Sequence, residues 1–428
     1  LAQVSQTADH SPKGVVALVG GQLFDGTGGP LIADAVVVYD GDRIVAAGPR
    51  ARTPIPPGAT IIDTAGQTIL PGLWDMHAHV EQVEQGAAYL AAGVTTVRDL
   101  GNILEFITAV RDTIAGGKGL GPRVLVDCLV DGDGRQGIGT VKINKEADIT
   151  PVLDKFKAAG CLEVKIYSSI RPELVRPIAE QAHRRGLRVT GHIPDDMNLE
   201  QALDAGFDGV NHLTYVTDML LPRSVREKLS PAEVRRRLGA LDLGDPVMQR
   251  LFAKLAAKRT TFDDTLALYE LFLHTTEEQK RREPGIAKVP RELRGLFDGV
   301  DPKDAEAQDA VFKKQLAVLG ELHRRGVPIV AGTDISVPGH SLHRELELYV
   351  QAGFTPTEAI QAATLVPARC MGMAAELGTI ERGKRADLIV VAGNPLADIH
   401  DIRKIAKVVA HGRLYQPAAL WRLVGFTP

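Results

Sequence analysis

The stretch GLWDMHAHV, residues 72–80, sets two histidines, His77 and His79, at i and i+2. Successive side chains of a β-strand point to opposite faces, so residues two apart share one face. Two imidazoles on one face can bind one divalent metal through nitrogen. The residues leading in, TILPGLWDM, are apolar and contain Pro71 and Gly72, which suits the start of a buried strand. Taken alone, the pair reads equally well as two core histidines at a strand end. A metal site needs further ligands from elsewhere in the chain.

Working outward, the middle of the chain alternates strand-like and helix-like stretches at roughly 30 residues per unit. TTVRDLG, PRVLVDCLV, LEVKIYSS, RVTGHIP and DGVNHLTY read as strands, separated by helical stretches such as RPELVRPIAEQAHRRG. A seventh strand falls near RTTFDDTL and an eighth at VPIVAGTDIS. The pattern predicts an α/β fold, a (β/α)8 TIM-like barrel over 71–377. Residues 216–300 break the rhythm with charged helical stretches and prolines, and read as enlarged connections beside the pocket mouth. Both ends have another texture. Residues 14–70 and 378–428 carry short β-branched runs broken by Gly, Pro and Asp-Gly, which predicts one small β-sandwich domain assembled from both termini. Residues 1–13 read as a flexible tail.

Active sites of such barrels lie at the C-terminal ends of the strands. The polar residues expected there are His77 and His79 on strand one, Lys165 on strand four, His192 on five, His212 on six and Asp334 on eight. Each is metal-competent or can become so, and as a set they are far more specific than His-x-His. Lys165 is the exception that needs chemistry. An ammonium has no lone pair, and burial disfavours its charge. A neutral buried amine can take up carbon dioxide, giving an anionic carbamate with two oxygens able to bridge two cations. Tyr167 shares the face of Lys165, and Tyr215 follows His212. His340 and His343, in PGHSLHRELEL just after Asp334, are further candidates to touch substrate or orient a ligand. Arg98 and Asp99 end strand two, as an ion pair or with Asp99 behind a ligand. The remaining histidines, His10, His183, His274, His323, His400 and His411, read as surface or structural.

With these residues in place, the chain resembles the amidohydrolase superfamily, in its imidazolonepropionase-like and Xaa-Pro-dipeptidase-like branch. The resemblance covers about residues 14–415 and rests on LPGLWDMHAHV, AAGVTTVRDLGN, VKIYSS, GHIP, VNHL, AGTD, ELELYVQAGFTPTEAIQAAT and GTIERGKRADLIVVAGNPLADI. It implies two divalent metals, usually zinc. His77, His79 and Asp334 would bind the first, His192 and His212 the second, and N6-carboxylated Lys165 would bridge both, as would a hydroxide. It further implies hydrolysis of a C–N amide bond, in a peptide or N-acyl amino acid, by hydroxide activated at the dinuclear centre, with Asp334 as the catalytic base and then acid. The alternative is a cyclic amide, lactone or carbamate on the same metals. A small-molecule or dipeptide-like substrate and a homo-oligomer are expected. The 122-residue separation of His212 from Asp334 is long, so substrate preference is not carried over.

Composition sets the outer bounds. At 44% hydrophobic and 24% charged residues over 428, the chain has an ordinary globular balance. A net charge of -3 gives no reason to expect nucleic acid or an anionic membrane as partner. No apolar run reaches the ~20 residues of a membrane span. The three cysteines, Cys128, Cys161 and Cys370, are widely spaced and read as small buried hydrophobes rather than a disulfide framework. The polar start LAQVSQTADH weakly favours a periplasmic or secreted protein over a cytoplasmic one. The Gly-rich DGDGRQGIG lacks the lysine of a P-loop and the closing glutamate of an EF-hand, and reads as a mobile loop beside the site.

Overall fold

The computed structural model describes residues 12, 14–134, 137–292, 299–334 and 336–428. The expected tail 1–13, apart from Pro12, and Arg135 and Gln136 of the Gly-rich loop lie outside these.

The two ends of the chain share one sheet. β1 (Val16–Leu23), β2 (Ile32–Asp40), β3 (Arg43–Pro49), β4 (Thr60–Asp63) and β5 (Thr68–Pro71) come from the N-terminal part. From the C-terminal part, the strand Leu388–Val391 pairs antiparallel with β5, and Ile405–Ala410 and Arg413–Tyr415 extend the same sheet. Alternating residues from both ends, among them Leu18, Val37, Ile69, Leu388, Val390 and Val409, form one apolar cluster. Period-2 patterning in short β-branched runs puts these residues on one face.

The middle is α/β. β6 (Leu73–Ala78), β7 (Val94–Asp99), β8 (Arg123–Val130), β9 (Glu163–Ile166) and β10 (Arg188–Gly191) form a parallel sheet in sequence order. β11 (Gly209–Asn211) and β12 (Thr261–Asp263) pair in parallel as a second sheet, and Asp208 N donates to Val189 O of β10 at 2.8 Å. β12 is the strand expected near RTTFDDTL. The expected eighth strand is not a regular one. Its residues still bond on both sides: Val330 N to Phe262 O at 2.9 Å, Met76 N to Ala331 O at 2.8 Å and Asp334 N to His77 O at 2.7 Å. The ladder is broken where Gly332 lies against His77; a Cβ there would sit 2.6 Å from the His77 Cβ. Several of the helices between the strands bury an apolar stripe. The helix α1 (Leu104–Ala115) buries Leu104, Ile107, Val110 and Ile114.

The cysteine expectation is corrected. Cys128 and Cys161 form a disulfide with Cα atoms 5.9 Å apart, and Cys370 is free. Their separation of 33 residues is that of one strand-helix-strand crossover. Parallel pairing of β8 with β9 returns the chain beside Cys128. The charged stretches in 216–300 do form helices, at Pro231–Gly239 and Thr276–Arg282.

Candidate metal centre

The ends of β6, β9, β10 and β11, and the irregular 328–334 segment, bring His77, His79, Lys165, His192, His212 and Asp334 together. His77 is fully buried and Lys165 is 1% exposed. His77 Nε2 lies 3.5 Å from Asp334 Oδ1, His79 Nε2 lies 3.2 Å from the same oxygen, and His212 Nε2 is 3.6 Å from Asp334 Oδ2. His192 Nε2 faces His212 Nε2 at 3.1 Å. Lys165 Nζ is 3.4 Å from His77 Nε2.

What aims these atoms is the partner of each other ring nitrogen. His77 Nδ1 donates to Asp263 Oδ1 at 2.6 Å, and His79 Nδ1 donates to Gly101 O at 2.9 Å. Carboxylate and carbonyl oxygens only accept, so both rings carry their proton on Nδ1 and leave Nε2 with a lone pair. His192 Nδ1 meets Ser168 Oγ at 3.2 Å, and His212 Nδ1 meets Thr265 Oγ1 at 2.9 Å. All four Nε2 atoms therefore point into one space. Burial holds His77 and His192 well below the ordinary imidazole range and His212 at about 3, so these three rings are neutral at neutral pH. Burial alone would raise Asp334, but His77, His79 and His212 around it hold it well below the usual carboxylate range. Burial also lowers Lys165.

The residues fit a metal centre. His77 and His79 turn lone-pair nitrogens towards Asp334, and His192 Nε2 lies against His212 Nε2, a donor set suited to a cation between them. Nitrogen ligands at about 2.0–2.1 Å around a tetrahedral ion lie roughly 3.3 Å apart, which is the spacing seen. His77, His212 and Asp334 offer ligand atoms all within 4.8 Å of one another. The backbone is strained here too: His212 (φ 66), Thr265 (φ 53) and Asp334 (φ 48) are all left-handed without being glycine, and such strain collects at functional sites. Thr265 is held by Glu345, whose carboxylate accepts the N–H groups of Leu266 and Ala267 at 3.0 and 2.6 Å.

Around this centre, Tyr167 stacks on His192 with ring centroids 4.1 Å apart, and Tyr215 lies at 5.9 Å from the same ring. Ser168 and Tyr215 also line an adjoining cavity of about 900 Å³, walled further by Pro194, Met219 and Arg226. Two expected residues are elsewhere. The helix α2 (His340–Gln351) carries His340 under Trp421, stacked at 4.3 Å, and His343 Nε2 donates to Ala92 O at 2.8 Å. Both are buried core histidines away from the ligands. Arg98 and Asp99 do not pair: Asp99 accepts the N–H of Val80 at 2.7 Å, fixing the chain after His79, while Arg98 turns inward. Asp263 is the residue missed. It sits at the end of the seventh strand, where the strand-end rule applied to the other strands would have found it.

These features are those of a metallohydrolase, and comparison with known proteins agrees. The profile of the Amidohydrolase family matches residues 68–415. An imidazolonepropionase from Pseudomonas paraeruginosa is 27% identical over 399 residues, covering 84% of this chain and 87% of its own. Ochratoxinase from Aspergillus niger is 24% identical, covering 94% and 87%. A putative prolidase from Bifidobacterium longum superposes with a TM-score of 0.70 at 24% identity, covering 96% and 98%, and shares the fold. The chain belongs to the amidohydrolase family and is a hydrolase acting on carbon–nitrogen bonds.

Proposed function

We propose that this hydrolase holds two divalent metal ions, zinc by preference, and cleaves a linear amide in a dipeptide-like or N-acyl amino acid substrate. The gathering of three Nε2 atoms within 3.6 Å of Asp334, with His192 Nε2 beside His212 Nε2, Lys165 Nζ beside His77 Nε2 and every Nδ1 engaged behind them, carries the reading. His77, His79 and Asp334 hold the first ion, and His192 and His212 the second. When bound there, such ions would supply Lewis acidity for activating water and the scissile carbonyl. Lys165, whose ammonium burial disfavours, would add carbon dioxide at Nζ and release a proton, giving a carbamate whose oxygens could serve as ligands. Asp334, ionised, takes a proton from the attacking water at a carboxylate oxygen and returns it to the leaving nitrogen. Tyr167, partly buried beside His192, is placed to meet the substrate carbonyl, with Tyr215 on the cavity wall.

The same reading takes residues 71–377 as a closed (β/α)8 barrel and residues 14–70 with 378–428 as a β-sandwich, in a chain that assembles as a homo-oligomer. The Cys128–Cys161 disulfide supports a periplasmic or secreted location, since such bonds persist in oxidising compartments. A hydrolysis screen of metal-loaded protein tests the function: dipeptides and N-acyl amino acids should turn over, and lactones and cyclic imides should not. Turnover of lactones or cyclic imides alone would replace the linear-amide reading with the alternative.

A further inference from the structure

Beneath the ligands lies a buried ionic hub centred on Arg98, a β7 side chain 1% exposed. Its Nε donates to Met76 O at 2.7 Å, its Nη1 to Glu163 Oε2 at 2.7 Å and its Nη2 to Asp263 Oδ2 at 2.7 Å. The guanidinium fork therefore spans β6, β9 and β12 at once. Each contact ends beside a residue of the centre. Met76 precedes His77, and Glu163 is two residues before Lys165 on the same strand face. Asp263 holds His77 Nδ1 through Oδ1, and its Oδ2 also accepts from Asn211 Nδ2 at 2.6 Å, Asn211 being the neighbour of His212. Asp127, 3.8 Å from Arg98 Nε, and Arg188, 2.9 Å from Glu163 Oε1, complete the buried set.

Resting on the metal reading above, we propose that Arg98 is a positioning residue which acts through Asp263 to aim His77, and so sets the affinity of the first metal. A carboxylate this deep in the protein needs a charge partner to stay in one orientation. The fork supplies it from the side opposite His77, so that Oδ1 is left for the imidazole. Residues bonded behind a ligating histidine are worth about 10- to 100-fold in metal affinity. A purely structural arginine would stabilise the fold without bearing on either ion.

The test is Mn²⁺ titration of apo-protein by equilibrium dialysis, with circular dichroism to confirm folding. Wild type should take up two equivalents. Arg98→Met should weaken one of them by about 10-fold or more and leave the other. Asp263→Asn should do the same, because its single oxygen cannot face His77 without turning its amide donors on Arg98 and Asn211. Arg98→Lys, which keeps the charge but not the fork, should fall between. If Arg98→Met fails to fold, Arg98→Lys and Asp263→Asn decide. The combined Arg98→Lys/Asp263→Asn protein should bind no worse than Asp263→Asn alone, since one residue acts through the other. Folded variants with two unweakened equivalents, or losses that simply add, overturn the inference while leaving the dinuclear centre standing. A wild type that binds no metal overturns both.

Discussion

On the proposed function, Asp334 would both hold a metal and move a proton. Its left-handed backbone (φ 48) is tolerated by asparagine as by aspartate, so Asp334→Asn keeps the geometry and removes the basic oxygen. We expect metal content to stay near that of wild type and kcat to fall by about 10²–10⁴. Metal analysis alongside steady-state kinetics checks both, and an unchanged kcat removes the proton-transfer role. His343 gives a different kind of residue-scale prediction. Burial, followed by the nearby Arg403, lowers it from 6.5 to about 4. Below about pH 6.5 the unfolded chain takes up a proton that the folded site refuses, so stability is full above 6.5 and is lost as pH falls towards and through 4. The shift corresponds to about 3 kcal/mol. His343→Gln, which can still donate to Ala92 O, should show a smaller drop in Tm between pH 7 and pH 5 than wild type; parallel profiles would contradict it. These two residues also mark how far sequence reaches. Asp334, His192 and His212 are legible because a strand-end rule fixes where to look. Asp263 ends the seventh strand, so the same rule reaches it, but its role shows only once the fold brings it to His77, 186 residues away in the chain. His340 and His343 stand close to Asp334 in sequence, yet the helix they ride on turns His340 under Trp421 and His343 onto the Ala92 carbonyl.

The strand-helix rhythm of the middle is legible because each strand is short, β-branched and followed by an apolar stripe at helical spacing. The eighth strand is where that rhythm misleads: AGTDIS has strand composition, but the close approach of Gly332 to His77 breaks the ladder to turn Asp334 inward. The disulfide was hidden for the opposite reason. A separation of 33 residues means nothing until parallel pairing of β8 and β9 is known, and then it is one crossover. The bond ties β8 to the segment entering β9, the strand of Glu163 and Lys165. Closing a loop of that length removes unfolded-state entropy worth about 4 kcal/mol. Cys161→Ser, or wild type under reductant, should therefore unfold at lower denaturant concentration by an amount near that figure. A coincident unfolding midpoint with and without reductant would show that the bond adds nothing.

Across the whole molecule, one face of the sheet built from both ends has its own apolar cluster, the other packs Leu70, Ile389, Val391 and Val408 into the core of the middle, and the polar interior of the middle gathers the candidate ligands. The six residues at the centre come from positions 77 to 334, so five separate segments must arrive together before any ion can be held. An ion that binds this arrangement and not the unfolded chain stabilises the fold by mass action, by about 4 kcal/mol at a thousandfold excess over its Kd. Taking the ion away also removes the charge that would hold together His192 and His212, whose Nε2 atoms lie 3.1 Å apart, and the three imidazoles 3.2–3.6 Å from Asp334. Chelation should accordingly lower Tm by several °C and abolish turnover together, and returning Zn²⁺ or Mn²⁺ should restore both. Local opening should be confined to the strand ends, seen as faster amide exchange at His212 and Asp334 with the sheet of β1, β2 and β5 unchanged. Loss of protection spread evenly over that sheet would mean that the ion stabilises the chain globally and not through the centre, and an unchanged Tm would mean that the histidines hold their positions without it.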